Sequence, residues 1–278
     1  MLAAVVRPYI PSALVHLICL LILCVAGVSG CASRLGPAHD ALADAELLTA
    51  SDEPTLRKRA RIRLELATGY FELGQTSVAL DELKQSIAID PSYGEAHHLK
   101  GLVYMRMNEP KLGEVSFKRA LEMSPNDTNL MQNMGWLLCQ QSRFDESERY
   151  FLKALAVPKY DHRAKTFRTL GLCRVKSGRL HEGRDSLLAS YEIDSNNPVT
   201  VFNLASVLFQ QNNFVLAQQY IRELNNSDLA NAESFWLGIK VEHQLNNSAG
   251  INQLASQLLK RFPNAREINY YKRGAFDE

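Results

Sequence analysis

The chain has 278 residues, a formal net charge of +1 from 31 basic and 30 acidic side chains, and 46% apolar residues. That balance sets up no global field to steer the protein onto nucleic acid, and the apolar fraction suffices for a packed core. The length allows one domain of about 220 residues behind a leader.

Residues 1–30 carry one charge, Arg7, and are almost wholly apolar from Leu14 to Val28. A secretory signal fits this pattern. A retained membrane helix is the alternative, since about 18 apolar residues can span a bilayer. Val28-Ser29-Gly30-Cys31 sets two small residues directly before a cysteine and resembles the bacterial lipobox. That resemblance implies diacylglycerol on the Cys31 thiol, cleavage before Cys31 and acylation of the new amino group, with palmitate among the acyl chains. Three buried chains hold far more firmly than one, at about 0.8 kcal/mol per CH2. Ala32 and Ser33 follow, rather than the Asp that retains enterobacterial lipoproteins in the inner membrane. The expected location is therefore the periplasmic face of the outer membrane. Residues 31–53, with Gly36, Pro37 and scattered Ala and Asp, lack clear helical spacing and predict a tether. Its reach would be about 25 Å.

From Pro54 to Glu278 the chain repeats. Small residues at Ala67, Gly101, Gly135, Gly171, Ala205 and Gly238 are spaced by 34, 34, 36, 34 and 33. This is the tetratricopeptide period and predicts an all-α superhelix of about six helix-turn-helix repeats. The repeats run over about 60–93, 94–127, 128–161, 164–197, 198–230 and 231–264. The second carries Gly101, Tyr104, Phe117, Ala120 and Pro125 at the expected offsets, the first Tyr70, Ala79 and Pro91, and the third Phe151 and Ala154. The physical cause is packing: the small residue lets two antiparallel helices approach while Phe117 or Phe151 fills the remaining space, and hairpins must stack to bury their apolar faces. Pro91 and Pro125 stop second helices, and Gly74 and Gly178 serve as turn caps. No alternating apolar window predicts a strand.

The start of the first repeat is basic, with Arg57, Lys58, Arg59, Arg61 and Arg63. A solvated helix face is the ordinary explanation, and contact with lipid phosphates or an acidic partner is the other. Beyond the leader cysteines and Cys31 remain Cys139 and Cys173. A disulfide is open to an exported pair. Their positions, 12 and 10 of the frame, point in different directions and favour two buried or half-buried thiols.

No nucleophile elbow, phosphate loop or dinucleotide fingerprint is present. His97 and His98 face different sides of a helix, and His39, His162, His181 and His243 lack metal-like spacing, so no metal, cofactor or small-molecule substrate is expected. Asp145, Glu146 and Glu148 lie near Arg149 and Lys153, where charge pairing explains them. What remains is a binding surface and no enzyme. Frame positions 2, 5, 9, 12 and 13 of first helices face the groove of such arrays. Here they include Leu64, Thr68, Phe71, His98, Leu102, Met105, Gln132, Trp136, Cys139, Arg168, Leu172, Phe202 and Phe209. Exposed Phe71, Trp136, Phe202 and Phe209 would form an apolar partner patch; tight curvature would instead pack these rings on neighbouring first helices.

Several segments resemble one family in particular: Cys31 with its lipobox, Asn108-Glu109-Pro110-Lys111-Leu112, Asn133-Met134-Gly135-Trp136-Leu137-Leu138, Leu170-Gly171-Leu172, Trp236-Leu237-Gly238-Ile239 and Leu259-Lys260-Arg261-Phe262-Pro263. They are similar to the type IV pilus biogenesis lipoproteins of the PilF/PilW family, outer-membrane pilotins of six tetratricopeptide repeats. The chain departs at Met134, where the family often has Tyr, and in the loop Tyr160-Asp161-His162-Arg163. The resemblance implies a lipid-anchored protein that binds secretin subunits and promotes their outer-membrane localisation and assembly. An apolar secretin segment would lie in a groove near the first repeats. A general envelope scaffold that recruits peptidoglycan or outer-membrane assembly factors is the alternative.

Overall fold

The computed structural model describes residues 54–276. The signal segment, Cys31, His39 and the tether lie outside the described residues. Among the described residues there are thirteen helices, twelve of them paired in six hairpins. Repeat one is the hairpin of α1 (Thr55–Glu72) and α2 (Thr76–Ile89), and repeat two that of α3 (Gly94–Arg106) and α4 (Pro110–Met123). Repeats three and four are α5 (Thr128–Gln140) with α6 (Phe144–Ala156) and α7 (Arg163–Lys176) with α8 (Leu180–Ile193). Repeats five and six are α9 (Pro198–Gln210) with α10 (Phe214–Asn225) and α11 (Ala232–Gln244) with α12 (Ser248–Arg261), and a short α13 (Glu267–Arg273) follows. All elements among the described residues are helical, as the period predicts.

The hairpin turns explain why the period holds. In each, one residue takes the left-handed conformation: Gly74, Asn108, Ser142, Gly178, Asn212 and Asn246. The next amide then reaches back to the carbonyl five residues earlier, as in Gln75 N to Tyr70 O at 2.8 Å, Arg143 N to Leu138 O at 2.9 Å and Asn247 N to Glu242 O at 2.9 Å. This closes the end of every first helix by satisfying a carbonyl that would otherwise be orphaned. Gly and Asn tolerate the conformation; Ser142 is the exception among the six. Second helices stop two residues ahead of Pro91 and Pro125, as expected. First helices are opened by side-chain caps where the sequence offers them: Asp127 accepts from Leu130 N at 2.9 Å, and Asn231 and Ser234 form a reciprocal capping box.

The turn residues also correct the frame of the sixth repeat. They are spaced 34 from Asn212 to Asn246, as are the starts of α9 at Pro198 and α11 at Ala232. The small-residue position therefore falls on Ile239, fully buried, rather than on Gly238. Gly238 is small for a separate reason. A Cβ there would stand 2.6 Å from the Asn225 amide nitrogen, which donates to Ser234 O at 3.1 Å. The two extra residues between repeats three and four fall in the 157–162 connection, where Lys159 has a positive φ. There buried Tyr160 bonds Thr166 Oγ1 at 2.7 Å.

Packing follows the small-residue rule with a compensation. Gly101 faces Phe117 and Gly135 faces Phe151, and both rings are fully buried. Ala67 stands at the same frame position with Leu83, and Ala205 with Ile221, while Gly171 of repeat four faces Leu187 and Ile239 of repeat six stands with Ala255, so the pairing of glycine with a large ring belongs to repeats two and three. Ser86 Oγ donates to Ala60 O at 2.7 Å and Ser190 Oγ to Ala164 O at 2.8 Å, the same bridge across the hairpin in repeats one and four.

Cys139 and Cys173 form a disulfide across α5 and α7, with Cα atoms 5.9 Å apart. This overturns the expectation of two thiols. Identical frame positions on neighbouring first helices point the same way, so side chains that meet must differ in position. Two residues correspond to a rotation of about 200°, and that turns Cys173 back towards Cys139. The difference in direction that argued against the bond is what permits it.

The closing helix α13 was not foreseen. Its Ile268 is buried with Phe235, Trp236, Ala255 and Leu258, and so covers the end of the last hairpin. At the other end three of the five basic residues of α1 are paired: Arg57 with Asp90, Arg61 with Glu65 and Arg63 with Glu82. The basic start is thereby largely neutralised within the repeat.

Candidate functional site: the inner face of the first helices

The groove candidates sit at one face of successive first helices, at very different depths. Leu64 and Gln132 are buried, Thr68 is exposed and donates its hydroxyl to Leu64 O at 2.9 Å, and the remaining candidates apart from Cys139 are half-buried. Phe71 lies under the Arg106 guanidinium, 3.8 Å from the ring centre. His98 meets the edge of Phe117 at 5.8 Å and has Asn133 Nδ2 2.8 Å from its Nε2; burial holds its pKa below the usual histidine value. Leu102 and Met105 rest on the core around Phe117 and Leu137, and Trp136 on the core containing the disulfide and Phe151. Phe202 and Phe209 rest on Leu204, Leu208 and their neighbours, with Arg168 and Leu172 between these two regions of the wall. The four aromatic rings are thus half-buried rather than exposed.

The corrected frame of repeat six adds residues that the spacing of Gly238 concealed. Trp236 and Lys240 stand 34 residues after Phe202 and Ser206, on the same wall. The recurring Asn197 and Asn231 at the helix starts, and Asn212 and Asn246 at the turns, were the signal that could have placed them. A cleft of about 270 Å³ opens here between α9 and α11, lined by Phe202, Trp236, Lys240 and, from the closing helix, Tyr270. A second of the same size lies on the other side of Lys240, lined by Phe209, Phe214 and Phe276. The Lys240 ammonium is 5.5 Å from the Phe209 ring centre and 6.0 Å from that of Trp236. Burial holds its pKa below the usual lysine value.

Neighbouring repeats are also tied by charge. Arg143 binds Glu114 of the preceding repeat at 2.6 Å and Glu146 of its own at 2.7 Å. Arg179 binds Glu148 of the preceding repeat at 2.7 Å, and Arg174 joins the same carboxylate. Charge pairing was expected for Glu146 and Glu148, but the partners are these arginines and not Arg149 or Lys153. Burial alone would raise the Glu148 pKa; the hydrogen bonds and charges of Arg174 and Arg179 outweigh it and hold the carboxyl below the usual glutamate range. Glu114 is held low in the same way by Lys118 and Arg143. A depressed carboxyl stabilises the fold fully above its unfolded value of about 4.3, and that stabilisation is lost as pH falls through the folded value. Glu148→Gln is expected to lower stability at pH 7 by about 1 to 3 kcal/mol and to flatten the loss of stability below about pH 4.3. Urea titrations at neutral and acid pH check both, and an unchanged acid slope would remove Glu148 as its source.

Nothing in this wall pairs a nucleophile with a base; it offers aromatic shelves, basic side chains and clefts, which suits binding of another chain. Models of the tetratricopeptide repeat match residues 69–108, 94–127 and 129–157. Over 209 residues the chain is 25% identical to the type IV pilus assembly protein PilF of Pseudomonas aeruginosa, spanning 75% of this chain and 83% of that protein. The solved structure of that PilF matches with a TM-score of 0.68 at 26% identity, covering 78% of this chain and 99% of the other. The chain is a homologue of PilF. PilW, described as a widely conserved type IV pilus biogenesis factor, shares the fold, with a TM-score of 0.71 at 24% identity over 77% of this chain and 98% of its own. Like PilF, the chain is built of tetratricopeptide repeats.

Proposed function

We propose that the protein is a non-enzymatic pilotin: a lipoprotein on the periplasmic face of the outer membrane that binds secretin subunits and promotes their localisation and assembly for type IV pilus biogenesis. The observation that carries this reading is the homology to PilF, which runs through most of both chains. The lipobox at Cys31 supplies the anchor, and the array supplies the receptor. The Cys139–Cys173 disulfide accords with an exported chain, because such bonds persist in oxidising compartments. Cys31→Ser is expected to leave a folded protein that no longer sediments with membranes, and to strand secretin subunits away from the outer membrane. Fractionation with immunodetection of the secretin reads this; secretin multimers in the outer membrane at the normal level would refute the escort role. If the secretin fails to co-purify with the wild-type protein from detergent-solubilised membranes while peptidoglycan enzymes or outer-membrane assembly factors do, the general scaffold reading replaces it.

A further inference from the structure

The inner face changes character at repeat four. Its frame positions 2, 5 and 13 are Lys165, Arg168 and Lys176 there, against Asn129, Gln132 and Gln140 in repeat three and Val199, Phe202 and Gln210 in repeat five. On α7 the three cations fall within about 80° of one another, in one stripe along the helix. The first helices of repeats three, four and five, α5, α7 and α9, contain no Asp or Glu, so this part of the wall holds no acid of its own. The other two arginines of α7 are occupied, Arg174 by Glu148 and Arg163 by the Leu155 carbonyl. Among the described residues Lys165 and Arg168 make no ion pair, and Lys176 donates to the Cys139 carbonyl at 3.5 Å. Beside the stripe Gln132 is 4% exposed, and its side-chain amide has no hydrogen-bond partner among the described residues. A buried amide left in that state gains from any group that completes it.

We propose that the inner face of repeats three and four is a docking site for an acidic protein segment, whose carboxylates pair with Lys165, Arg168 and Lys176 and whose backbone bonds to the Gln132 amide. Along α7 the rise is about 4.5 Å from Lys165 to Arg168 and about 12 Å from Arg168 to Lys176, so a cluster of acidic residues is needed to span the stripe. Half-buried Trp136 on one side and Phe202 on the other suit apolar residues that flank such a cluster. The stripe is one repeat wide. A nucleic acid strand would run on to the neutral walls of repeats three and five and leave phosphates there unpaired. A lipid surface is flat and does not enter the inner side of a superhelix. The inference rests on the reading of the inner face as a receptor and adds the chemistry of its partner. Its test needs no secretin, so the escort role and the acidic site can fail separately.

A fluorescent peptide with a run of aspartates flanked by leucines is titrated against the purified full-length protein by anisotropy. Replacing the aspartates by asparagines, which leaves the protein untouched, is expected to weaken binding by at least about tenfold, as is Lys165→Gln/Arg168→Gln. Lys165→Glu/Arg168→Glu, shown to be folded by circular dichroism, is expected to lose the acidic peptide and to accept the peptide with lysines in place of the aspartates. Absence of saturable binding of the aspartate peptide to the wild-type protein overturns the proposal. So does equal binding of the aspartate and asparagine peptides, or undiminished binding of the aspartate peptide by the folded Lys165→Glu/Arg168→Glu variant. Binding of oligothymidylate that is tighter than that of the peptide and is lost in the same variant overturns it in favour of nucleic acid.

Discussion

Reduction of the Cys139–Cys173 bond is expected to destabilise the array by about 2 to 4 kcal/mol. The bond joins residues 34 apart in sequence, and cross-linking a loop of that length removes enough entropy from the unfolded chain to amount to about 4 kcal/mol as an upper figure. The site makes the effect larger than a surface cross-link would show. Both cysteines are buried with Phe151, Leu155 and Leu170, and Trp136 and Phe167 pack against them. In a stacked array each hairpin touches only its neighbours, so the coupling between repeats three and four rests on this one interface. Guanidinium titrations with and without a phosphine reductant, followed by tryptophan fluorescence in a Trp236→Phe background so that Trp136 alone reports, are expected to show a lower midpoint when reduced. Cys139→Ala/Cys173→Ala should be insensitive to reductant and lie near the reduced protein, lowered further by the cavity. An identical midpoint in protein whose two thiols have been shown to be free would sink the prediction.

The regular part of this fold was legible because it is enforced many times over. Gly101, Phe117 and Pro125 recur at offsets that only stacked hairpins satisfy, and the left-handed turn residues repeat with the same period. What escaped was local to single places. Gly238 looked like a frame marker, yet its smallness answers to Asn225 and not to a second-helix ring, and that one-residue error hid Trp236 and Lys240 from the inner face. The closing helix belongs to no repeat, so no period could announce Tyr270 or Phe276 as cleft walls. The disulfide was misjudged because direction was compared within one helix frame rather than across two facing helices.

The depth of the groove residues was legible only in part. Frame position gives the side of a helix but not how closely the next hairpin approaches. Leu64 and Gln132 therefore proved to be buried, and Phe71, Trp136, Phe202 and Phe209 half-buried on the core. Charge was harder still. Glu148 has basic residues within its own helix, but the arginines that hold it come from the following repeat, 26 and 31 residues away.

Gly101→Ala is expected to cost about 1 to 3 kcal/mol, although alanine is the better helix former. A Cβ at Gly101 would lie 2.3 Å from Phe117 Cε1, and the ring has no route of escape: it is fully buried, packed with Leu130, Met134 and Leu137, and met at its edge by His98. The array itself contains the remedy, since Ala67 with Leu83 and Ala205 with Ile221 fill the same two positions in repeats one and five. Phe117→Leu alone leaves space beside Gly101 and is expected to cost about 1 to 2 kcal/mol. The double variant Gly101→Ala/Phe117→Leu should be more stable than the sum of the single effects allows, with a coupling of at least about 1 kcal/mol. Gly135→Ala should cost less than Gly101→Ala, because its Cβ would stand 2.8 Å from the Phe151 ring. Urea titration of the four proteins of the cycle measures the coupling, and simple additivity would show that Gly101 and the Phe117 ring it faces are not a paired unit of this hairpin.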